Sequence, residues 1–142
     1  MKKYVLLLLF TKDFSKILLI KRKKKPFANL YNGIGGKIEE NETIQEATIR
    51  ECMEETKIVI DNPKLLVTCR YPKSINSEEE KEMHVLYDCT EEKEVEETYE
   101  GTFEWKNIEF AQDFNNKEIA GLSNLAQFTK EILDIEGIKK FY

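Results

Sequence analysis

Two apolar runs stand close together near the start of the chain, YVLLLLF and, in Ile17 to Ile20, ILLI, with the polar TKDFSK between them. Short apolar runs separated by turn-forming residues predict two strands joined by a short turn, the first of them buried. After the basic KRKKK of Lys21 to Lys25 and Pro26, the stretch NLYNGIGGKI carries three glycines and predicts a backbone-shaped loop. From Thr43 the period becomes helical. Thr43 and Glu46 have capping-box spacing, and neither Pro nor Gly interrupts the stretch through Lys57. KLLVTCRY, EMHVLYDC and, after an acidic stretch from Glu91 to Glu100, GTFEWKNI predict three more strands; the second alternates Met83, Val85, Tyr87 and Cys89 on one face. The segments Ile108 to Phe114 and Asn124 to Ile135 predict helices, the latter with Leu125, Phe128, Ile132 and Ile135 at helical spacing. Strands that alternate irregularly with two or three helices predict an α/β fold, a mixed β-sheet between helices on both faces.

Composition narrows what such a fold does. At 142 residues, with no internal repeat and no Ser/Pro/Gly-rich linker, residues 1–142 are expected to be one domain. Hydrophobic content of 41% beside charged content of 35% describes a soluble globular chain. The first apolar run is about seven residues, too short to span a bilayer, and no small-residue cleavage site follows it. A net charge of −5 argues against a general binder of nucleic acid polymers and suits a protein that recruits cations to handle an anionic substrate. Cys52, Cys69 and Cys89 are odd in number and lack metal-ligand spacing, which points to the reducing cytoplasm.

The helix contains RECMEE, Arg50 to Glu55. At roughly 100° per residue, Glu51, Glu54 and Glu55 share one sector of about 100°, together with Ile44, Ala47 and Ile58. The other side carries Ile49, Cys52, Met53 and Thr56 and is expected to pack on the sheet. Taken alone, the carboxylates have two readings, a solvated face in a Glu-rich chain or a metal site. Like charges so placed repel, and a divalent oxygen-ligated ion such as Mg²⁺ or Mn²⁺ would offset that cost. Arg50, four residues before Glu54, can clamp a carboxylate with its planar fork.

The loop ahead of the helix favours the metal. GKIEENETIQEATIRECMEETKI, from Gly36 to Ile58, resembles the Nudix box: Gly, five residues, Glu, seven residues, Arg-Glu, an apolar residue, any residue, Glu-Glu, any residue, Gly, and an apolar residue. Gly36, Glu42, Arg50, Glu51, Cys52, Glu54, Glu55 and Ile58 fill those places, and Lys57 stands where the box has glycine. The resemblance implies the Nudix-type α/β/α sandwich and hydrolysis, by water attack at phosphorus, of a nucleoside diphosphate linked to another group. It also implies that Glu51, Glu54, Glu55 and the Gly35 carbonyl ligate Mg²⁺, with Mn²⁺ as substitute. Glu54 would in addition orient or deprotonate the attacking water, Arg50 would be the orienting clamp, and Glu42 would steady the start of the helix. Members often add an acid from a loop before a late strand, which makes Glu100, with Glu97 as runner-up, the expected extra ligand.

NLYNGIGGK further resembles the WNGxGGK loop of MutT-type members that hydrolyse oxidised purine nucleoside triphosphates such as 8-oxo-dGTP, with Tyr31 in place of the tryptophan. That likeness makes Asn32 and Asn124 base-reading residues and Arg22 a contact of the triphosphate. Each has a plainer reading as well: Asn32 as a turn residue, Asn124 as a helix N-cap, Arg22 as part of a solvated basic turn. Trp105 and Cys52 read as packing residues, and the lone His84 as a surface or hydrogen-bonded residue. The expected protein is a Mg²⁺-dependent nucleoside triphosphate pyrophosphohydrolase that releases pyrophosphate and serves nucleotide-pool cleaning. Its partner is a small nucleotide, with neither nucleic acid polymer nor membrane, and a monomer and a homodimer are equally compatible with the sequence. The alternatives are a Nudix hydrolase of ADP-ribose or a dinucleoside polyphosphate, and a Nudix-fold binding module without turnover.

Overall fold

The computed structural model describes residues 1–23, 28–75, 78–92, 94–95, 101–120 and 124–138. Among them the chain forms β1 (Lys2–Thr11), β2 (Lys16–Arg22), β3 (Tyr31–Asn32), β4 (Ile34–Lys37), α1 (Ile44–Thr56), β5 (Lys64–Tyr71), β6 (Lys81–Thr90), β7 (Gly101–Asn107), α2 (Ile108–Gln112) and α3 (Asn124–Ile135). The strands form one mixed sheet, in which β1 runs parallel to β6 and the other strand pairings are antiparallel. The uninterrupted apolar run of β1 follows from its place in the middle. Leu6, Leu8 and Phe10 pack toward Ile108, Leu125, Phe128 and Ile132 of α2 and α3. Leu7 and Leu9 pack on the opposite face with Cys52 of α1, and Val5 with Ala47. A strand covered on both faces needs apolar side chains at every position. The helices therefore lie on both sides of the sheet, as expected.

The three-glycine stretch is not a loop. β1 and β2 pair only through Leu9 with Leu18 and Phe10 with Ile17, and then diverge. β3 fills the opening from the β2 side, with Asn32 opposite Ile20 and Tyr31 opposite Lys21. The chain then crosses at Gly33, and β4 pairs with β1 from Ile34 opposite Leu7 to Lys37 opposite Tyr4. The glycines permit this by lacking a side chain: a Cβ on Gly33 would lie 2.7 Å from the Leu7 carbonyl oxygen, and one on Gly35 would lie 2.7 Å from that of Val5. Close approach of two backbones, and not a left-handed turn, is what they supply.

Helix α1 starts where the spacing predicts. The Glu46 N–H donates to Thr43 Oγ1 at 3.1 Å and the Thr43 N–H to Glu46 Oε1 at 2.9 Å, a complete capping box. Thr48, Cys52 and Thr56, four residues apart, form with Ala47 its buried stripe. Met53, expected on the packing side, is 44% exposed instead, because one residue past Cys52 turns the side chain about 100° away from the sheet. Burial pushes the Cys52 thiol up to about 11, which suits an inert spacer.

Other departures are local. Helix α2 stops at Gln112, with Asp113 already extended, so Phe114 lies outside it. The apolar stripe of α3 ends at Ile132 and Leu133, leaving Ile135 exposed. Trp105 is half-buried against the α1-side cluster. His84 is buried and hydrogen-bonded, at 2.8 Å to Thr68 Oγ1 and 2.7 Å to Glu82 Oε1. Among the described residues no helix is long and apolar enough to cross a membrane.

Lys57 ends α1 without the expected glycine. It adopts φ 66° and ψ 6°, and its N–H donates to the Met53 carbonyl at 3.0 Å. An L side chain in this region carries a cost of about 1 kcal/mol that glycine does not. Lys57→Gly is therefore expected to stabilise the fold by about 0.5–1 kcal/mol, raising Tm by about 2–4 °C in a thermal melt. An unchanged or lowered Tm would show that the left-handed cap is not strained.

Candidate active site

One side chain organises the exposed face of α1. Arg50 Nε donates to Glu42 Oε2 at 2.7 Å and Nη2 to Glu42 Oε1 at 3.0 Å, a two-pronged clamp. Nη2 also donates to the Lys37 carbonyl at 3.1 Å, which fastens the helix to the end of β4. Nη1 donates to Glu51 Oε1 at 2.8 Å and to Glu54 Oε2 at 3.2 Å, and lies 3.6 Å from Glu39 Oε1. Four carboxylates thus converge on one guanidinium, and the charge around it is far from balanced. The Glu42 and Glu51 side chains are 13% and 15% exposed, whereas Glu54 is 59% exposed. Of the three carboxylates bonded directly to Arg50, Glu54 is therefore the one most open to solvent.

Glu51 reaches this position because Gly36 has no side chain. A Cβ there would collide with the Glu51 carboxylate, so the bare backbone of β4 is the cradle for that group. Gly35 lies next to it, and Glu55 sits half-buried near the end of the helix. Among the described residues no three His, Cys, Asp or Glu side chains gather on a common point. The carboxylates are spread around Arg50 instead. The donor set still fits a hard divalent cation, being oxygen throughout, rich in negative charge and cradled on a backbone without side chains. Glu100 and Glu97, the expected extra acids, lie outside the described residues.

Two of the expected substrate-binding residues fall on the other face of the sheet. Asn32 and Asn124, far apart in sequence, line one cleft of about 280 Å³ with apolar Leu6, Met83, Leu125 and Phe128, and with Tyr71 and Ala120. No charged side chain is among those lining residues. The plainer reading of Asn32 also finds support, since its Oδ1 accepts from the Gly33 N–H at 2.8 Å. Asn124 is the first residue of α3. Arg22 closes β2 opposite Gly101, with its Nε buried and lacking a hydrogen-bond partner among the described residues. The structure thus brings together Arg50, Glu51 and Glu54 in one group and Asn32 with Asn124 in another.

Several members of these groups were not read from the sequence. Glu39 and the Lys37 carbonyl join the Arg50 network through a turn that has no pattern of its own. Tyr71 and Met83 line the cleft from the ends of paired strands, and only the alternation of β6 hinted at Met83. Glu104 and Lys106 of β7 form a further cluster with Tyr31.

Comparison with known proteins identifies the family and the fold. The model of the NUDIX domain matches residues 2–133. The ADP-ribose pyrophosphatase of Methanocaldococcus jannaschii is 49% identical over 45 residues, 32% of this chain. That match spans 27% of the curated relative. Among solved structures, a NUDIX family hydrolase from Clostridium perfringens is 26% identical with a TM-score of 0.71, over 94% of this chain and 97% of that one. The NUDIX domain of Shewanella oneidensis NrtR, complexed with ADP ribose, has the same fold at 21% identity and a TM-score of 0.72, over 92% of this chain and 87% of that one.

The Arg50 network sets a response to acid. Hydrogen bonding to Arg50 holds the Glu42 carboxyl below the usual carboxylate range, against a smaller opposing effect of burial. A carboxyl depressed in the folded state adds stability that is full above its unfolded value, near 4.5, and is lost as pH falls through the folded value. Glu42→Gln is expected to cost about 1.5–3 kcal/mol in urea unfolding at pH 7. The gap from wild type should narrow as the pH is taken below about 4. A gap that stays constant between pH 7 and pH 3 would contradict the linkage.

Proposed function

The chain belongs to the Nudix family, and on that premise we propose that it is a Mg²⁺-dependent pyrophosphohydrolase of nucleoside triphosphates, acting on oxidised purines such as 8-oxo-dGTP. The observation that carries this reading is the uncharged cleft with an amide at each of two sides, Asn32 and Asn124. A carboxamide offers a donor and an acceptor together, which suits the edge of a purine whose own donors and acceptors oxidation has rearranged. An apolar lining excludes water from those hydrogen bonds and takes the flat faces of the base. Sugar and phosphates would then run from the cleft past Gly33 toward Gly35, Gly36 and the acidic face of α1.

On that face Glu51, Glu54, Glu55 and the Gly35 carbonyl would hold Mg²⁺, with Mn²⁺ as substitute. The cation, when bound, neutralises phosphate charge and makes bound water more acidic. The remaining work falls to the chain. Glu54, the most exposed of the three carboxylates bonded directly to Arg50, orients the attacking water and takes its proton. Arg50 holds Glu51 and Glu54 through one nitrogen and fixes both rotamers without touching substrate. Arg22, at the end of β2, faces the phosphates. Water adds at phosphorus, a phosphoanhydride bond breaks, and the monophosphate and pyrophosphate leave. In that role the protein would clear damaged nucleotides from the cytoplasmic pool.

A second reading keeps the chemistry and changes the substrate to ADP-ribose, and the identity with the Methanocaldococcus jannaschii pyrophosphatase favours it. Turnover of 8-oxo-dGTP, dGTP, ADP-ribose and diadenosine tetraphosphate with Mg²⁺ separates the readings. The highest kcat/KM is expected for 8-oxo-dGTP, whereas a preference for ADP-ribose would replace the first reading with the second. Binding without any product would make the protein a non-catalytic module. Glu54→Gln should lose about 10²–10⁴-fold in kcat while remaining folded by circular dichroism. Near-wild-type turnover in that variant would remove Glu54 from the chemistry.

A further inference from the structure

Asn32 stands on a strand of two residues, β3, which pairs with β2 only through Tyr31 and Asn32. Bonds from the Arg22 N–H to the Leu30 carbonyl at 3.1 Å and from the Asn29 N–H to the Arg22 carbonyl at 2.8 Å also tie this segment to β2, but so short a strand needs further anchors to set its position against α3 and β7. Tyr31 supplies three. Its N–H donates to the Glu118 carbonyl at 2.7 Å, and its carbonyl accepts from the Ala120 N–H at 2.8 Å, so the segment before α3 is laid against β3 like an added strand. Its side chain reaches across β2, where the hydroxyl donates to Glu104 Oε2 on β7 at 2.6 Å. Ala120 and Asn32 both line the cleft, so the residue that fixes one lip also fixes the other.

The surroundings of Tyr31 make the hydroxyl bond strong and the ring hard to displace. Tyr31 is 4% exposed. Its ring meets Phe110 edge to face, with centroids 5.3 Å apart, and Lys106 Nζ lies 4.7 Å from the Tyr31 centroid. Lys106 also pairs with Glu104 at 3.3 Å, which keeps that carboxylate aimed at the phenol. Burial, then the bond to Glu104, push the phenol up, and hydrogen bonding to the phenol leads in holding the Glu104 carboxyl below its ordinary range. The pair is thus a neutral donor facing a charged acceptor, the stronger kind of hydrogen bond.

We infer that Tyr31 and Glu104 act together as positioning residues for nucleotide specificity, the Tyr31–Glu104 bond holding Asn32 and Ala120 at the separation the base requires. This rests on the nucleotide reading of the cleft. The MutT-type loop has tryptophan at this position, a side chain without the hydroxyl that meets Glu104 here. Neither side chain touches the reacting atoms. Their loss should therefore weaken binding and leave the chemical step intact.

The test is steady-state kinetics of Tyr31→Phe, Glu104→Ala, Glu104→Gln and the Tyr31→Phe/Glu104→Ala double variant on the preferred nucleotide. Tyr31→Phe and Glu104→Ala are each expected to raise KM about 5–10-fold with kcat within about twofold, a fraction of what one charge-assisted hydrogen bond supports, because the bond acts on the base through Asn32 and Ala120. The double variant should be no worse than either single one, and Glu104→Gln, which keeps an acceptor, should stay within about twofold of wild type. A KM unchanged in Tyr31→Phe, or effects that multiply in the double variant, would overturn the inference. Amide hydrogen exchange, read without substrate, separates this from the function itself. In Tyr31→Phe the amides of residue 31 and Ala120 should exchange faster, while that of Lys57, bonded to Met53, should not. If the wild type hydrolyses no nucleotide, the proposed function fails, and unchanged exchange at residue 31 and Ala120 would independently defeat the positioning role.

Discussion

The guanidinium of Arg50 is the constraint on which the site depends, because it stands between carboxylates that would otherwise repel one another. Three of its partners, Glu42, Glu51 and Glu54, accept directly, and a fourth, Glu39, lies just beyond. A single positive charge does not by itself offset four negative ones, and the cation proposed for this face would relieve the repulsion that remains. The bond to the Lys37 carbonyl ties this charge cluster to the sheet. Partly buried ion networks of this kind add little net stability once desolvation is counted. Their value lies in geometry: the Glu51 rotamer is set, and Glu54 is held by the longest of the direct bonds and left open to water.

On the proposed reading, the split in the sheet lets one ligand reach both the cleft and the acidic face of α1. Where β1 and β2 diverge, one extended segment pairs first with β2 and then with β1, carrying Asn32 on one side of the crossing and Gly35 and Gly36 on the other. At about 3.3 Å per residue, Asn32 and Gly36 are about 13 Å apart, the scale of the path from a base to its phosphates. The glycines at 33 and 35 let β4 lie against β1, and the one at 36 admits Glu51. The three thus serve two purposes through the same missing atom.

Much of this was legible in the chain. Apolar runs fixed β1 and β2, alternation fixed β6, and the capping box of Thr43 and Glu46 fixed the start of α1 to the residue. The α3 boundaries, Asn124–Ile135, followed from helical spacing alone. The glycine segment was illegible as strand because its pairing partner is chosen by the space left between β1 and β2, and glycine has no side chain to show a period. Met53 was misplaced because a helical wheel marks sides of a helix without saying how far round the neighbouring layer extends. Within the site, Arg50 with Glu51 and Glu54 could be anticipated from helix geometry. The contact of Tyr31 with Glu104 joins residues on strands separated by β2, and no local pattern announces it. Lys57 shows the opposite case, a departure from the expected residue that leaves the helix end where it was.

The proposed function requires the acidic face of α1 to be a cation site whose ligands include Glu51 and Glu55. Titration of Mn²⁺ into the wild-type protein and into the Glu51→Gln/Glu55→Gln variant, followed by the electron paramagnetic resonance of free Mn²⁺, tests it without any substrate. Saturable binding by the wild type, weakened at least about tenfold in a variant with unchanged circular dichroism, is the expected result. Equal Mn²⁺ binding by the two proteins would contradict the claim.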